Sequence, residues 1–392
     1  MRKRYNLQEI ALNRKEWREI SKTGKAVVLD KPNGKFAVKL YPVPEPDEGE
    51  FLLKQEMCGV CGSDAHMYHG HLQGLNFPMV LGHEMAGRIE KLGKGIKVDT
   101  AGKPVAEGDR IILIPGMMCG KCYYCKILKE PTNCLAEVDY GASGPADREP
   151  HFQGGFAEYI YAANPKTEFL KTTLPAKVAC LLEPFTMGLR CNELAGVGPG
   201  DTVVIQGSGA IGLMNLVAAK ESNASRIIVI GGPKGRLELA KKLGADAVID
   251  IDEVPSSEER IRLVKEQTFQ GLGADVAIEC TGVPAALPEG IEMLRPLGTC
   301  VEVGHFTNNG TCQINPYLHM VRKQIRIIPV LGQETGHFVR GLPILESGKY
   351  PLGELISHTL PLERVMDAID ALGSGYKLDG REAVKIAVSS EA

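Results

Sequence analysis

Three features are scarce in this chain of 392 residues, and each scarcity excludes a class of protein. No apolar run approaches the roughly 20 residues needed to cross a bilayer, so no transmembrane segment is predicted. The formal net charge is only -3, which argues against a nucleic-acid-binding surface. The chain opens with Met1-Arg2-Lys3-Arg4 and has no apolar signal core, so export is not expected. These absences predict a cytoplasmic protein that acts on a small molecule.

The length of the chain exceeds the size at which a single hydrophobic core usually stops growing, so two domains are expected. The first 22 residues stand apart from both domains. Their apolar residues recur at helical spacing and predict an amphipathic helix: Leu7, Ile10, Ala11, Trp17 and Ile20. The apolar stripe of this helix packs either on the chain's own surface or on a partner subunit, and the sequence leaves both alternatives open.

The pattern of predicted elements changes near Phe185. Before it, short strands alternate with Pro and Gly clusters, which favours a mainly β domain. After it, strands alternate with helices, which is typical of a parallel sheet with helices on both faces. The last strands are expected to return to the first domain. We therefore predict an α/β protein with an N-terminal extension at 1–22, a discontinuous mainly β domain at 23–185 and 333–392, and a doubly wound domain at 186–332.

Four cysteines lie close together in a loop within residues 116–135, namely Cys119, Cys122, Cys125 and Cys134. Two-residue gaps let successive thiolates face one centre, and the fourth thiolate completes a tetrahedral shell for zinc. A ferredoxin-type cluster would need a shorter last gap followed by proline. The total of 11 cysteines is odd, which argues against complete disulfide pairing. Because a shell of four thiolates has no open position, this motif predicts a structural zinc.

A glycine-rich loop joins the apolar run Val203-Val204-Ile205 to a predicted helix. It reads Gly207-Ser208-Gly209-Ala210-Ile211-Gly212, which matches the G-x-G-x-x-G dinucleotide motif. The first glycine permits the tight turn, the second lets the backbone approach a pyrophosphate, and the third lets the helix pack closely on the strand. The loop and the helix N-terminus therefore predict a binding site for a dinucleotide.

The end of the second predicted strand lacks the acid that usually binds the adenosine ribose. Gly231 stands at that position, and Lys234 and Arg236 follow it. Nothing here repels a 2′-phosphate, so the sequence accommodates NADP as well as NAD. The two cations either bind that phosphate or form the solvated start of a helix.

A second set of metal-binding residue types is spread along the chain. The run Gly59 to His66 contains Cys61, and Gly82-His83-Glu84 follows about two dozen residues later. Thiolate, imidazole and carboxylate are all zinc ligands, and three protein ligands with one open position define a catalytic zinc site. Glu183 precedes the second domain and can close the same shell.

In combination these motifs resemble the zinc-dependent medium-chain dehydrogenase/reductase superfamily, which includes alcohol, sorbitol and threonine dehydrogenases. The resemblance extends from Ala26 to Val388 and rests also on Gly108-Asp109-Arg110-Ile111 and on Gly154 to Tyr159. It implies a GroES-like catalytic domain, a Rossmann domain and an active site between them. It further implies that Cys61 and His83 bind the catalytic zinc together with Glu84 or Glu183, without deciding which glutamate is the direct ligand.

The resemblance also assigns roles to residues beside these ligands. Ser63 is expected to accept the substrate proton, and His66 is either the outer station of that proton relay or a solvated loop histidine. Asp64 is expected to orient a ligand, Cys58 to be a core thiol, and His305 to line the cleft near the nicotinamide. The reaction implied is hydride transfer to NAD or NADP from a zinc-bound alkoxide.

The expected substrate is a secondary alcohol such as a polyol, cyclitol, sugar or hydroxy amino acid, because an acid at 183 is similar to the polyol dehydrogenases. A threonine-type or aldehyde-reducing member of the superfamily is the alternative within this class. An inert nucleotide-binding scaffold is the alternative from another class. The resemblance implies a homodimer or homotetramer, and no membrane or nucleic-acid partner is expected.

Overall fold

The computed structural model describes residues 22–72 and 74–392. The amphipathic extension predicted at 1–22 therefore lies outside the described residues, apart from Lys22. Within the described part of the chain, no helix is both long and apolar enough to cross a membrane.

The first part of the chain is mainly β structure, as predicted. Its strands are β1 (Thr23–Leu29), β2 (Phe36–Pro42), β3 (Phe51–Val60), β4 (Met79–Val80), β5 (Glu84–Leu92), β6 (Arg110–Leu113), β7 (Gly116–Met117), β8 (Val138–Asp139), β9 (Tyr159–Ala162) and β10 (Phe169–Lys171). One helix, α1 (Gly62–Tyr68), follows β3 directly. The cysteine-rich lobe contains two short helical turns, at Tyr124–Leu128 and Pro131–Asn133.

Two helices, α2 (Ala176–Ala179) and α3 (Leu182–Ala195), lead into the second part. That part alternates as predicted: β11 (Thr202–Gln206), α4 (Ala210–Glu221), β12 (Arg226–Gly231), α5 (Lys234–Lys242), β13 (Ala247–Asp250), α6 (Ser257–Glu266), β14 (Ala274–Glu279), α7 (Ala286–Met293), β15 (Leu294–Glu302) and β16 (Arg326–Pro329). These strands form a parallel sheet in the order β13-β12-β11-β14-β15-β16. The order reverses beside β11, which places a ligand crevice at the carboxyl ends of its strands.

The C-terminal part returns to the first sheet. It contains α8 (Thr335–Glu346), β17 (Ile356–Pro361), α9 (Val365–Gly373), β18 (Lys377–Leu378), β19 (Arg381–Glu382) and β20 (Lys385–Ser389). Strand β20 pairs antiparallel with β3 and parallel with β17, within a sheet that continues through β5, β6 and β10. Residues near the C-terminus therefore lie beside residues near Gly59.

Close packing of α3 against α4 joins the two parts of the fold. A Cβ atom at Gly188 would lie 2.6 Å from the backbone oxygen of Met214, so only glycine allows this approach. Helix α3 begins with Leu182 and Glu183, both buried. The helix that packs on the nucleotide-binding part thus carries a candidate metal ligand at its first turn.

Candidate metal centre and cofactor cleft

The register of two strands brings three candidate ligands together. Gly59 in β3 pairs with Glu84 in β5, so Cys61 and His83 lie just beyond the same end of this pair. Ligand atoms of Cys61, His83 and Glu84 all lie within 4.8 Å of one another. The predicted thiolate, imidazole and carboxylate therefore face a common point.

Asp64 ties the two ligand-bearing loops together from a fully buried position. Its Oδ2 accepts a hydrogen bond from the backbone N–H of Cys61 (2.8 Å), and its Oδ1 accepts one from the backbone N–H of Gly82 (3.2 Å). Oδ1 also lies 3.6 Å from Nδ1 of His83. Burial opposes a charge on His83, but Asp64, Cys61 and Glu183 together raise the pKa of this imidazole well above its ordinary value. Asp64 thus favours a proton on Nδ1, and an ion that bound Nε2 would displace the second proton that the raised pKa keeps on the imidazole.

Glu84 is buried completely and pairs with a residue 301 positions later in the chain. Lys385 Nζ forms an ion pair with Glu84 Oε1, and the lysine side chain is only 5% exposed. Glu84 Oε2 is buried and has no hydrogen-bond partner among the described residues. A Cβ atom at Gly59 would lie 1.8 Å from this oxygen, so glycine at that position makes room for the carboxylate.

Glu183 approaches the same region but does not belong to the compact group of three ligands. Its Oε1 accepts a hydrogen bond from Nε2 of Gln333, which follows β16. Burial raises the pKa of Glu183 to about 7, although His83 acts in the opposite direction. The structure therefore offers two buried carboxylates beside Cys61 and His83, each bound by a donor from a distant part of the chain.

The two residues predicted to move protons lie on α1. Ser63 Oγ is 3.3 Å from Nε2 of His83, the nitrogen that would bind an ion. His66 lies one turn further along the helix and is partly buried. Burial, followed by the neighbouring His71 and His69, lowers the pKa of His66 below its ordinary value, so this imidazole is neutral at pH 7.

The four cysteines of the lobe also converge, with their sulfur atoms within 4.8 Å of one another. Backbone N–H groups donate to the sulfurs of Cys119 and Cys134. Backbone N–H groups at Cys125 and Leu135 lower the pKa of Cys122 to about 6, whereas burial raises that of Cys125 to about 12. Four sulfurs this close cannot all be thiolates without a cation, so the lobe fits a structural zinc.

The group of Cys61, His83 and Glu84 also fits a metal, for reasons different from those of the cysteine lobe. Cys61, His83 and Glu84 supply three of the donor types that zinc accepts. The buried Oε2 atom of Glu84 has no hydrogen-bond partner within residues 22–72 and 74–392, and a cation would satisfy this acceptor. Cys58 takes no part, because its thiol is buried in the core of β3, as expected.

The glycine-rich loop has the geometry that its motif predicts. Gly207 adopts a φ of 111°, and a Cβ atom at Gly212 would lie 1.8 Å from the backbone oxygen of Gly207. The nearest described atom to a Cβ at Gly209 would be an Arg236 nitrogen at 3.8 Å, which leaves space for a ligand. Ser208 is buried, and its hydroxyl exchanges hydrogen bonds with the backbone of Gly232. Ala210 and Ile211 form the first turn of α4, with N–H groups directed to the loop.

The two cations after Gly231, for which the sequence left a phosphate contact and a solvated helix start as alternatives, have different environments, and the burial of Arg236 contradicts a solvated position for that residue. Lys234 is exposed at the first residue of α5. Arg236 is buried: its guanidinium donates to the backbone oxygen of Ala383 (2.5 Å) and stacks on the ring of Tyr376. Arg236 is therefore anchored to the C-terminal segment, whereas Lys234 is exposed to solvent.

Sequence reasoning missed several polar groups of the cleft. Glu279 and Glu302 end neighbouring strands and form a compact group with His305, whose Nδ1 lies 2.9 Å from Glu302. Burial, with a further contribution from Glu302, raises the pKa of Glu279 to about 7. Lys385 was also missed, although a lysine inside the apolar run Ala383–Val388 was a visible signal.

Comparisons with known proteins agree with this geometry. Residues 47–172 match the model of the alcohol dehydrogenase GroES-like domain, and residues 210–346 match that of the zinc-binding dehydrogenases. The chain is 31% identical over 342 residues to 5-exo-hydroxycamphor dehydrogenase from Pseudomonas putida, covering 85% of this chain and 91% of that protein. It is 31% identical over 336 residues to sorbitol dehydrogenase from Bacillus subtilis, covering 85% and 89%.

The fold itself is similar to that of solved structures. The crystal structure of an alcohol dehydrogenase from Thermotoga maritima superposes with a TM-score of 0.87 at 33% identity, covering 94% of this chain and all of that one. Both family models match, and together they cover more than half of the residues. The chain therefore belongs to the zinc-dependent medium-chain dehydrogenase/reductase superfamily, with a GroES-like domain and a Rossmann domain.

Proposed function

We propose that this protein oxidises a secondary alcohol, such as a polyol, cyclitol, sugar or hydroxy amino acid, and transfers the hydride to NAD or NADP. The observation that carries this proposal is the convergence of ligand atoms of Cys61, His83 and Glu84 within 4.8 Å, in a chain that also has a glycine-rich loop with the geometry of a dinucleotide site. These three residues, with Glu183 as the alternative carboxylate, would hold the catalytic zinc. When bound, zinc would supply a Lewis acid that lowers the pKa of the substrate hydroxyl.

The chain's own residues then handle the proton. Ser63 Oγ lies beside Nε2 of His83 and is placed to take the proton from the substrate hydroxyl. His66 is neutral at pH 7 because its pKa is lowered, so it has a ring nitrogen free to accept that proton. Asp64 keeps both ligand loops in register through its two backbone hydrogen bonds. General base catalysis by such a relay contributes about 10²-fold or more.

The loop Gly207–Gly212 would hold the pyrophosphate of the dinucleotide on the N-terminus of α4. Gly231 offers no carboxylate to the adenosine ribose, and exposed Lys234 lies close by. This arrangement supports use of NADP as well as NAD. Measuring kcat/KM with both dinucleotides tests the point, and a strong preference for NAD that Lys234→Ala leaves unchanged would contradict a phosphate contact.

Two features support a polyol-like substrate. Glu84 and Glu183 place two carboxylates at the metal centre, and hydroxyl groups next to the reacting carbon can donate to such acceptors. One relative is a sorbitol dehydrogenase, whose substrate is a polyol. Another, at the same identity, acts on 5-exo-hydroxycamphor, so the pocket loops decide specificity. A threonine-type or aldehyde-reducing activity is the alternative within the class.

The proposal is tested by dinucleotide reduction with a panel of polyols, cyclitols, sugars and amino alcohols, combined with zinc analysis. We expect two zinc ions per chain. Cys61→Ser should lose one zinc together with activity, whereas the matched control Cys58→Ala should keep both. One zinc per chain, with activity unaffected by Cys61→Ser, would exclude a catalytic zinc site at Cys61. No dinucleotide reduction with any substrate would instead favour an inert scaffold.

A further inference from the structure

His66 makes one of the contacts between the two parts of the fold. Its Nδ1 lies 3.2 Å from Oγ1 of Thr307, in the loop that follows β15, and 3.0 Å from Nδ1 of His71, in its own segment. The ring of Phe306 packs near that of His66, with centroids 6.2 Å apart. One ring nitrogen therefore has two hydrogen-bond partners, one from each side of the cleft.

The hydrogen bonds around Thr307 fix which atom carries the proton. Asn309 Nδ2 donates to the backbone oxygen of Gly282 (3.3 Å), which sets the orientation of the amide and directs Oδ1 to Thr307. Oδ1 can only accept, so the single hydroxyl proton of Thr307 is committed to this 2.9 Å contact. Thr307 Oγ1 is then an acceptor toward His66, and Nδ1 of His66 must carry a hydrogen.

The same hydrogen settles the contact between the two histidines. Two Nδ1 atoms 3.0 Å apart need one proton between them, and His66 supplies it. His71 Nδ1 is therefore the bare, accepting nitrogen. A neutral imidazole carries one ring hydrogen, so Nε2 of His66 has none and is ready to accept a proton.

We infer that His71 and Thr307 together hold His66 in the Nδ1–H tautomer and so make Nε2 the accepting atom of the relay. Both are positioning residues that act through His66. Nε2 gains the substrate-derived proton and later releases it to water, while Nδ1 keeps its own proton throughout. The inference rests on the proposed role of His66, and it adds that the tautomer depends on a contact between the loop after β15 and the end of α1.

Tautomer and activity are measured separately on the zinc-loaded protein. Nitrogen-15 NMR of histidine-labelled protein distinguishes protonated from bare ring nitrogens, and His66→Gln assigns the His66 signals. His71→Leu removes the acceptor, whereas His71→Gln retains an oxygen that accepts from Nδ1–H. The matched control is His69→Gln, because His69 lies in the same segment but hydrogen-bonds Asn33 (3.1 Å) instead of His66.

We expect the parent, His71→Gln and His69→Gln proteins to show His66 with a protonated Nδ1 and a bare Nε2. His71→Leu should show a mixture of tautomers and lose about tenfold in kcat/KM, which is a part of what an acid-base residue contributes. His71→Gln should recover most of that loss. A parent spectrum with hydrogen on Nε2 overturns the inference, as does an unchanged tautomer in His71→Leu. If His66→Gln leaves kcat/KM unchanged while the tautomer is as expected, the relay fails and the tautomer assignment stands.

Discussion

Lys385→Met tests whether the ion pair behind the metal centre is the counter-charge of Glu84. Methionine keeps the length and the apolar part of the side chain but removes the ammonium. Lysine and glutamate side chains are 5% and 0% exposed, so water cannot replace the lost partner. Because Glu84 Oε2 has no hydrogen-bond partner among the described residues, the variant leaves both carboxylate oxygens without a donor.

Removal of one member of a buried ion pair costs about 3–5 kcal/mol. For a domain of this size that corresponds to a decrease in Tm of roughly 6–20 °C. The decrease should be largest in protein stripped of metal. A bound cation can replace the ammonium as the counter-charge, so zinc should stabilise the variant more than it stabilises the parent.

Differential scanning calorimetry of a double-mutant cycle measures the interaction free energy between Lys385 and Glu84 directly. The parent, Lys385→Met, Glu84→Gln and the double variant are compared after chelation, so loss of zinc from the cysteine lobe affects all four equally. Each single variant should melt well below the parent, since each leaves one buried charge unpaired. The double variant removes both charges and should melt close to the parent.

The control is Lys25→Met, which breaks an ion pair with Glu363 whose members are both roughly half exposed. Its Tm should stay close to that of the parent, because exposed pairs contribute little to stability. Additive effects of Lys385→Met and Glu84→Gln would refute the reasoning. So would a Lys385→Met protein as stable as the parent without metal, because Glu84 would then have another partner.

Three further predictions follow from single positions. Gly231→Asp should raise the KM for both NAD and NADP instead of selecting NAD. The reason is steric, because its Cβ would lie 2.5 Å from the hydroxyl of the serine in the glycine-rich loop. A higher kcat/KM with NAD alone would show that the loop moves to accommodate the new side chain. Gln333→Leu removes the hydrogen-bond donor to Glu183 and should lower the affinity of the catalytic site for zinc about tenfold, measured by competition with a chelator. An unchanged affinity would mean that Glu183 takes no part in zinc binding. Burial and Glu302 raise the pKa of Glu279 from 4.5 to about 7, so the parent should lose stability as pH rises through this window. Glu302→Gln should make the Tm less dependent on pH in this window. If the Tm of the variant depends on pH as that of the parent does, interaction between Glu279 and Glu302 is not the source of the dependence.

Much of the fold could be predicted because its signals are local. The alternation of strands and helices after Phe185 predicted a parallel sheet with helices between its strands, and the structure has that arrangement. The glycine motif predicted the turn before α4 for a steric reason that the structure shows at Gly212. The spacing of the cysteines likewise predicted that four sulfurs converge, since a short loop cannot place them far apart.

The remainder depends on contacts between distant parts of the chain, which spacing does not encode. Lys234 and Arg236 are two residues apart and look equivalent in the sequence. The helical turn between them directs one side chain to solvent and the other against the C-terminal segment. The tautomer of His66 similarly depends on Thr307, 241 residues away.

The choice between Glu84 and Glu183 as metal ligand cannot be predicted from the sequence for the same reason. Residue types made both glutamates candidates, and the structure shows that each carboxylate is bound by a different donor: a lysine for Glu84 and a neutral glutamine for Glu183. An ammonium competes with a cation for the same carboxylate by charge, whereas a neutral amide orients the carboxylate and leaves its charge to the cation. Glu84 is the nearer of the two to Cys61 and His83 but has the stronger competitor. We therefore expect the identity of the third ligand to depend on the balance between Lys385 and Gln333, both more than 140 residues from the glutamate that each one binds.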